Sequence, residues 1–146
     1  MTPGEIFPAV ERDEASADFF DAAARGTLLV RRCPRSGDVL GPQARTCPSC
    51  GSADLEPFTA SGRGTLVSWA VVHQAPVPSL AAAVPYLTGV VELDEGAWLL
   101  VRLVECDGRE LRAGTPVSAR FLPSGAPDDQ PPGEVLVAFT PAAASR

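Results

Sequence analysis

The sequence predicts a mainly β protein: a short N-terminal helix, a cysteine-built ribbon and a small five-stranded barrel. Three observations lead there. Fifteen prolines and 13 glycines in 146 residues break the chain too often for long helices and favour short strands joined by turns. Five β-patterned segments crowd the stretch from Gly64 to Phe139. Three of the four cysteines fall between positions 33 and 50, two of them at knuckle spacing. Hydrophobic residues make up 45% of the chain, enough to build a core.

Residues 1–12, with Pro3 and Pro8, read as an extended or frayed lead. A helix of about three turns is expected from Asp13 to Gly26. Asp13 or Ser16 can cap its start, acids occupy the first turn, and Gly26 stops it. Phe19, Phe20, Ala23 and Ala24 form its apolar stripe. Thr27–Arg32 reads as a strand, and residues 33–52 as a Cys/Pro/Gly-rich loop. Gly62-Arg63-Gly64 turns into the barrel. Its strands are expected at 64–73, 86–95, 97–105, 116–121 and 134–139. Asp94-Glu95-Gly96 signals a tight hairpin and Asp107-Gly108 another turn. Residues 81–87 form a loop with a proline, and 123–133 a polar, proline-rich, mobile loop. Five short antiparallel strands suit a Greek-key barrel of OB type. The expected units are therefore 1–26 lead and helix, 27–59 ribbon and 60–146 barrel, with no internal repeat visible.

Cys47-Pro48-Ser49-Cys50-Gly51 is the sharpest local motif. A C-P-x-C-G knuckle aims both thiolates at one ion, and its glycine accepts the positive φ of the turn. Cys33 lies upstream, and the partner that would complete a second C-x-x-C is Ser36. One reading is a structural zinc on Cys33, Cys47 and Cys50, with water, Asp38 or a remote side chain completing the tetrahedron. Another is a ribbon that has lost its metal and packs around three thiols. A redox C-x-x-C is a third, but the βαβ context it needs is missing upstream. Cys106, between Glu105 and Asp107, reads as an ordinary part-buried thiol, and as the one remaining cysteine it is a candidate for a displaced fourth ligand.

The formal net charge is −6, and all twelve basic residues are Arg. That balance argues against nucleic-acid binding driven by counterion release. No apolar run approaches the roughly 20 residues of a membrane span, and the N-terminus lacks the basic and apolar regions of a signal peptide. A cytoplasmic location is expected, where cysteines are thiols or metal ligands. The chain holds one His and one Tyr and no G-x-S-x-G, P-loop or H-E-x-x-H motif. His73, at a strand end, is the one candidate base, and nothing in the sequence pairs it with a nucleophile. Catalysis by this chain alone is not expected.

The order of motifs, L-L-V-x-R-C, C-P-x-C-G-S, S-G-R-G-T-L-V-S-W, P-Y-L-T-G-V-V-E-L-D-E-G and a late A-G-T-P-V, runs from about Phe19 to Phe139. It resembles the rubredoxin-like zinc-ribbon plus OB-fold proteins of domain of unknown function family thirty-five. Ser36 departs from the pattern where the family often has Cys. The resemblance implies an accessory subunit of a thiolase-like or lipid-transfer-protein-like aldolase or acyltransferase, with the OB half holding or guiding an acyl-CoA thioester. Arg32, Arg63, Trp69, His73 and Arg102, on or beside the strands, are the residues placed to meet it, since arginine suits phosphate groups. The Phe19/Phe20 stripe and the apolar segment Ala75–Leu87 offer surface for a partner. Two other functions compete: an OB-fold binder of single-stranded nucleic acid, which would need a basic groove with aromatic platforms, and a stand-alone thioester hydrolase using His73.

Overall fold

A computed structural model describes residues 7–126, 128–130 and 132–142, so residues 1–6 of the expected lead lie outside it. Residues 7–12 are extended and tied down. The Phe7 carbonyl accepts from Gly125 N–H at 2.7 Å and the Val10 carbonyl from Glu134 N–H at 2.9 Å. Arg12 bridges Asp21 at 2.6 Å and Glu134 at 2.9 Å. Hydrogen bonding from Arg12 holds the Glu134 carboxyl below its ordinary range. The ends of the 123–133 loop are thus anchored to the lead.

The helix α1 is shorter than expected and spans Ala17–Ala24. The reason is local: the Ser16 hydroxyl donates to Asp13 Oδ1 at 2.7 Å, and this closes a turn before the helix and leaves no side-chain cap on it. Its C-terminus behaves as expected. Gly26 adopts φ +76°, and Thr27 N–H donates to the Ala22 carbonyl at 2.9 Å. The buried stripe is Phe20, Ala22 and Ala23; Ala24 faces solvent.

Three strands build the ribbon: β1 (Leu28–Arg32), β2 (Val39–Leu40) and β3 (Glu56–Ala60), in the order β2-β1-β3. The expected first strand is β1, while β2 falls inside the span read as loop and β3 in the stretch after it, where no strand was expected. Both are hard to see in sequence: β2 has two residues, and β3 carries Pro57, which an edge strand tolerates.

The barrel follows with β4 (Arg63–Val72), β5 (Tyr86–Leu93), β6 (Trp98–Leu103), β7 (Pro116–Pro123) and β8 (Val135–Pro141). They close in the order β4-β5-β6-β8-β7, and all five expected strands are present. One pairing differs from the all-antiparallel expectation: β6 meets β8 in parallel at Leu103 and Phe139. The β5–β6 hairpin forms at Asp94-Glu95-Gly96, where Gly96 N–H donates to the Leu93 carbonyl at 2.8 Å.

Alternation along the strands fills the interior with Leu66, Val91, Leu93, Leu99, Val101, Leu103, Val117 and Phe139. Leu28 and Val30 of the ribbon belong to the same buried cluster, so ribbon and barrel share one core. A Cβ at Gly89 would stand 2.9 Å from Leu103 and 3.0 Å from Leu66; glycine there leaves those two side chains their room. No helix among the described residues is long and apolar enough to cross a membrane.

Candidate functional site

The ribbon ends in two knuckles with the same backbone. In the first, Gly37 N–H donates to the Cys33 carbonyl at 2.7 Å and Cys33 N–H to the Asp38 carbonyl at 2.8 Å. In the second, Gly51 N–H donates to the Cys47 carbonyl at 2.7 Å and Cys47 N–H to the Ser52 carbonyl at 2.9 Å. Gly37 at φ +81° and Gly51 at φ +75° make equivalent turns. Cys33-Pro34-Arg35-Ser36-Gly37 therefore repeats Cys47-Pro48-Ser49-Cys50-Gly51, which extends the expected pairing of Cys33 with position 36 to a full knuckle. The signal in sequence is the shared Pro and Gly offsets, Pro34 and Gly37 beside Pro48 and Gly51.

The knuckles bring the Sγ atoms of Cys33, Cys47 and Cys50 within 4.8 Å of one another. Cys33 and Cys47 are buried, while Cys50 is exposed. The Cys33 and Cys50 sulfurs are 3.6 Å apart. A tetrahedral ion with metal–sulfur bonds of about 2.3 Å sets its sulfurs about 3.8 Å apart, so the three thiols fit such an ion. The Ser36 hydroxyl leads a set of hydrogen bonds that lower the Cys33 thiol to about 6. Cys50 shifts upward: the Ser52 amide pulls it down, but the Cys33 sulfur, burial and Cys47 outweigh it. Cys106 is on the barrel side, packed against the main core and outside the three-sulfur group. Burial first, then Asp107 and Glu110, push its thiol up.

The five residues expected to meet a thioester do not converge. Arg32 pairs with Glu56 at 2.8 Å on the ribbon. Arg63 and His73 lie at and just past opposite ends of β4, roughly 30 Å apart at strand rise. Both are exposed, and the His73 ring has no hydrogen bond among the described residues. Trp69 lies on β4 beyond a bulge between Leu66 and Ser68. Arg102 projects from the outer face of β6 and stacks on Tyr86 at 4.1 Å and Phe7 at 4.6 Å. Burial lowers its pKa, and Tyr86 opposes the shift.

A cleft of about 610 Å³ opens instead between α1 and the loop after β2. Phe19 and Pro42 give it apolar walls, and Arg31 and Arg45 reach it from the ribbon. Neither arginine is in an ion pair among the described residues. Asp13 also lines the cleft, with its carboxylate engaged by Ser16 at 2.7 Å. Arg45 went unread because nothing in the chain order ties residue 45 to Arg31.

Apolar surface is the other conspicuous feature. On β6, Trp98 is 57% and Leu100 81% exposed. They share the barrel's outer face with Val90, which pairs with Leu100. On β4, Trp69 and Val71 are also exposed, on the opposite face of the sheet. Val77, in the segment Ala75–Leu87, is exposed too.

This architecture defines a class: a closed five-stranded OB barrel fused through a shared core to a cysteine-knuckle ribbon. Residues 59–122 match the family model described as "ChsH2, C-terminal OB-fold domain". A DUF35 domain-containing scaffold protein of Methanocaldococcus jannaschii is 33% identical over 98 residues, covering 66% of this chain and 69% of the relative. The chain belongs to the DUF35 family. A probable enoyl-CoA hydratase alpha subunit of Thermomonospora curvata is 36% identical over 115 residues, 79% of this chain. The match spans 35% of that relative's length. Among solved structures, a chain of the Ltp2-ChsH2(DUF35) aldolase superposes with a TM-score of 0.70 at 34% identity, over 93% of this chain and 99% of that one.

Proposed function

We propose that this chain is a non-catalytic accessory subunit that binds or guides an acyl-CoA thioester and supports a thiolase-like or lipid-transfer-protein-like aldolase or acyltransferase. The observation that carries the reading is the superposition on a chain of the Ltp2-ChsH2(DUF35) aldolase along nearly the full length of both. The name of the Thermomonospora curvata relative, a CoA-thioester hydratase subunit, points the same way. The chemistry agrees. Thioester turnover needs a nucleophile or base beside an oxyanion hole, and the only His is exposed at a strand end. The surface instead carries exposed Trp and Leu, residues that anchor protein interfaces. The ribbon cysteines Cys33, Cys47 and Cys50 hold zinc in this reading, as a structural ion.

The anionic end of the thioester is assigned to the cleft beside α1, in place of the scattered set on ribbon and barrel. Arg31 and Arg45 offer charge to phosphates, and Phe19 and Pro42 offer apolar walls to a base. Replacing both arginines by Gln is expected to weaken CoA binding roughly a hundredfold or more, at about 1.4 kcal/mol per decade and 1.5–3 kcal/mol for one charged hydrogen bond from each. Calorimetric titration of CoA into the complex with its partner checks it. An unchanged affinity would move the site elsewhere.

The test of the function itself is co-expression with a thiolase-like or aldolase-like protein. The two are expected to co-purify, with this chain silent toward acyl-CoA when alone. Turnover of acyl-CoA by the isolated chain, together with no association, would overturn the reading.

A further inference from the structure

Two equivalent knuckles should present four equivalent ligands, and one of the four is a serine. The backbone repeat puts Ser36 where Cys50 stands in the second knuckle, preceded by Cys-Pro-x and followed by Gly in both. Its hydroxyl oxygen is 3.3 Å from Cys47 Sγ. A tetrahedral ion with one oxygen ligand at about 2.0 Å and a sulfur at about 2.3 Å sets those two atoms about 3.5 Å apart. The hydroxyl thus already stands at the distance from Cys47 Sγ that a fourth ligand would have. It is held there: Asp38 N–H donates to Ser36 Oγ at 3.2 Å. The Asp38 carboxylate sits behind the same corner, with Oδ2 accepting from Ser49 Oγ at 2.5 Å and lying 3.9 Å from Cys47 Sγ. Ser36 is also exposed, so the corner faces solvent.

From this geometry, and resting on the proposal that the ribbon holds zinc, we infer that the ion is bound by three thiolates and one weak oxygen donor at Ser36, and that this fourth position exchanges with outside ligands. Two consequences separate it from a closed site. A neutral hydroxyl replaces a thiolate, so the site carries one negative charge fewer and holds the metal more weakly. A soluble donor such as imidazole can displace the hydroxyl, whereas a thiolate at that corner would resist it. Structural zinc sites are almost always closed by four protein ligands; a site that keeps one exchangeable position has the ligand pattern of zinc centres that take a water or a substrate.

The test uses the full chain loaded with Co²⁺ in place of zinc, in wild type, Ser36→Cys, Ser36→Ala and Cys47→Ser. Wild type is expected to show the visible spectrum of a three-sulfur site, and imidazole to shift it. Ser36→Cys is expected to give a four-sulfur spectrum, no response to imidazole, and zinc binding tighter by roughly tenfold to a hundredfold in chelator competition. That range is about a quarter of the binding free energy of a structural zinc site, less the small contribution of the hydroxyl. Ser36→Ala, which keeps the three thiols, should respond to imidazole at lower concentration than wild type. A four-sulfur wild-type spectrum, or one blind to imidazole, overturns the inference and leaves the metal reading standing. Absence of Co²⁺ binding in wild type, matching Cys47→Ser, overturns both.

Discussion

Phe139→Ala is expected to cost about 3–5 kcal/mol of folding stability, the range for deleting a fully buried aromatic ring. Phe139 is wholly buried. It pairs across β8 with Ala119 of β7 and with Leu103 of β6, so it sits on the contact that closes the barrel. The Val104 N–H donates to its carbonyl at 2.9 Å, which fixes the backbone even when the ring is gone. A cavity is therefore left rather than filled by collapse. Domains are stable by only about 5–15 kcal/mol, so the variant should melt roughly ten degrees lower, at 2–4 °C per kcal/mol for a chain of this size. Thermal and urea denaturation measure it. A loss under about 1 kcal/mol would mean that β6 and β8 do not depend on this ring for closure.

Leu100→Asp is expected to do the reverse: nothing to the fold and much to association. Leu100 points out of the barrel at 81% exposure, beside Trp98 at 57%. An exposed strand position of this kind changes stability by no more than about 0.5 kcal/mol. If the outer face of β6 is the docking surface, a buried carboxylate there removes a central apolar contact and adds an unpaired charge. Losses of 2 kcal/mol or more are ordinary at such positions, roughly thirtyfold in affinity. Pull-down or calorimetry with the partner reads the loss, and a melting curve confirms that the barrel is intact. Unchanged affinity would shift the interface to the Trp69/Val71 face of β4 or to the Val77 segment.

The barrel strands are legible because each alternates: Leu66, Val91, Leu93, Val101 and Leu103 recur at every second position, between turns marked by Gly, Asp and Pro. The same alternation carries the exposed apolar face of β6, and there it is easily misread. In Trp98-Leu99-Leu100-Val101-Arg102-Leu103 the outward positions are not polar, so the segment looks like a plain buried strand. Helix α1 is overextended in sequence terms because Asp13 and Ser16 are good caps, yet in the structure they bond each other. Strand β3 is hidden by Pro57 and by its exposed residues. The three-thiol cluster is legible from spacing alone, since a knuckle is a local structure. Arg31 is legible as a strand arginine, but its pairing with Arg45 is not, because the fold of the ribbon and the docking of the helix bring the two to one cleft.

On the function proposed above, the chain supports acyl-CoA chemistry performed by another protein. The most direct measurement is acyl-CoA turnover by a purified thiolase-like or aldolase-like partner, with and without this chain, beside the chain alone. The partner's turnover or thermal stability is expected to rise when the chain is added in equal amount, and the chain alone is expected to show no rate above buffer. A partner unaffected by the chain, or a chain that turns over acyl-CoA unaided, would contradict it.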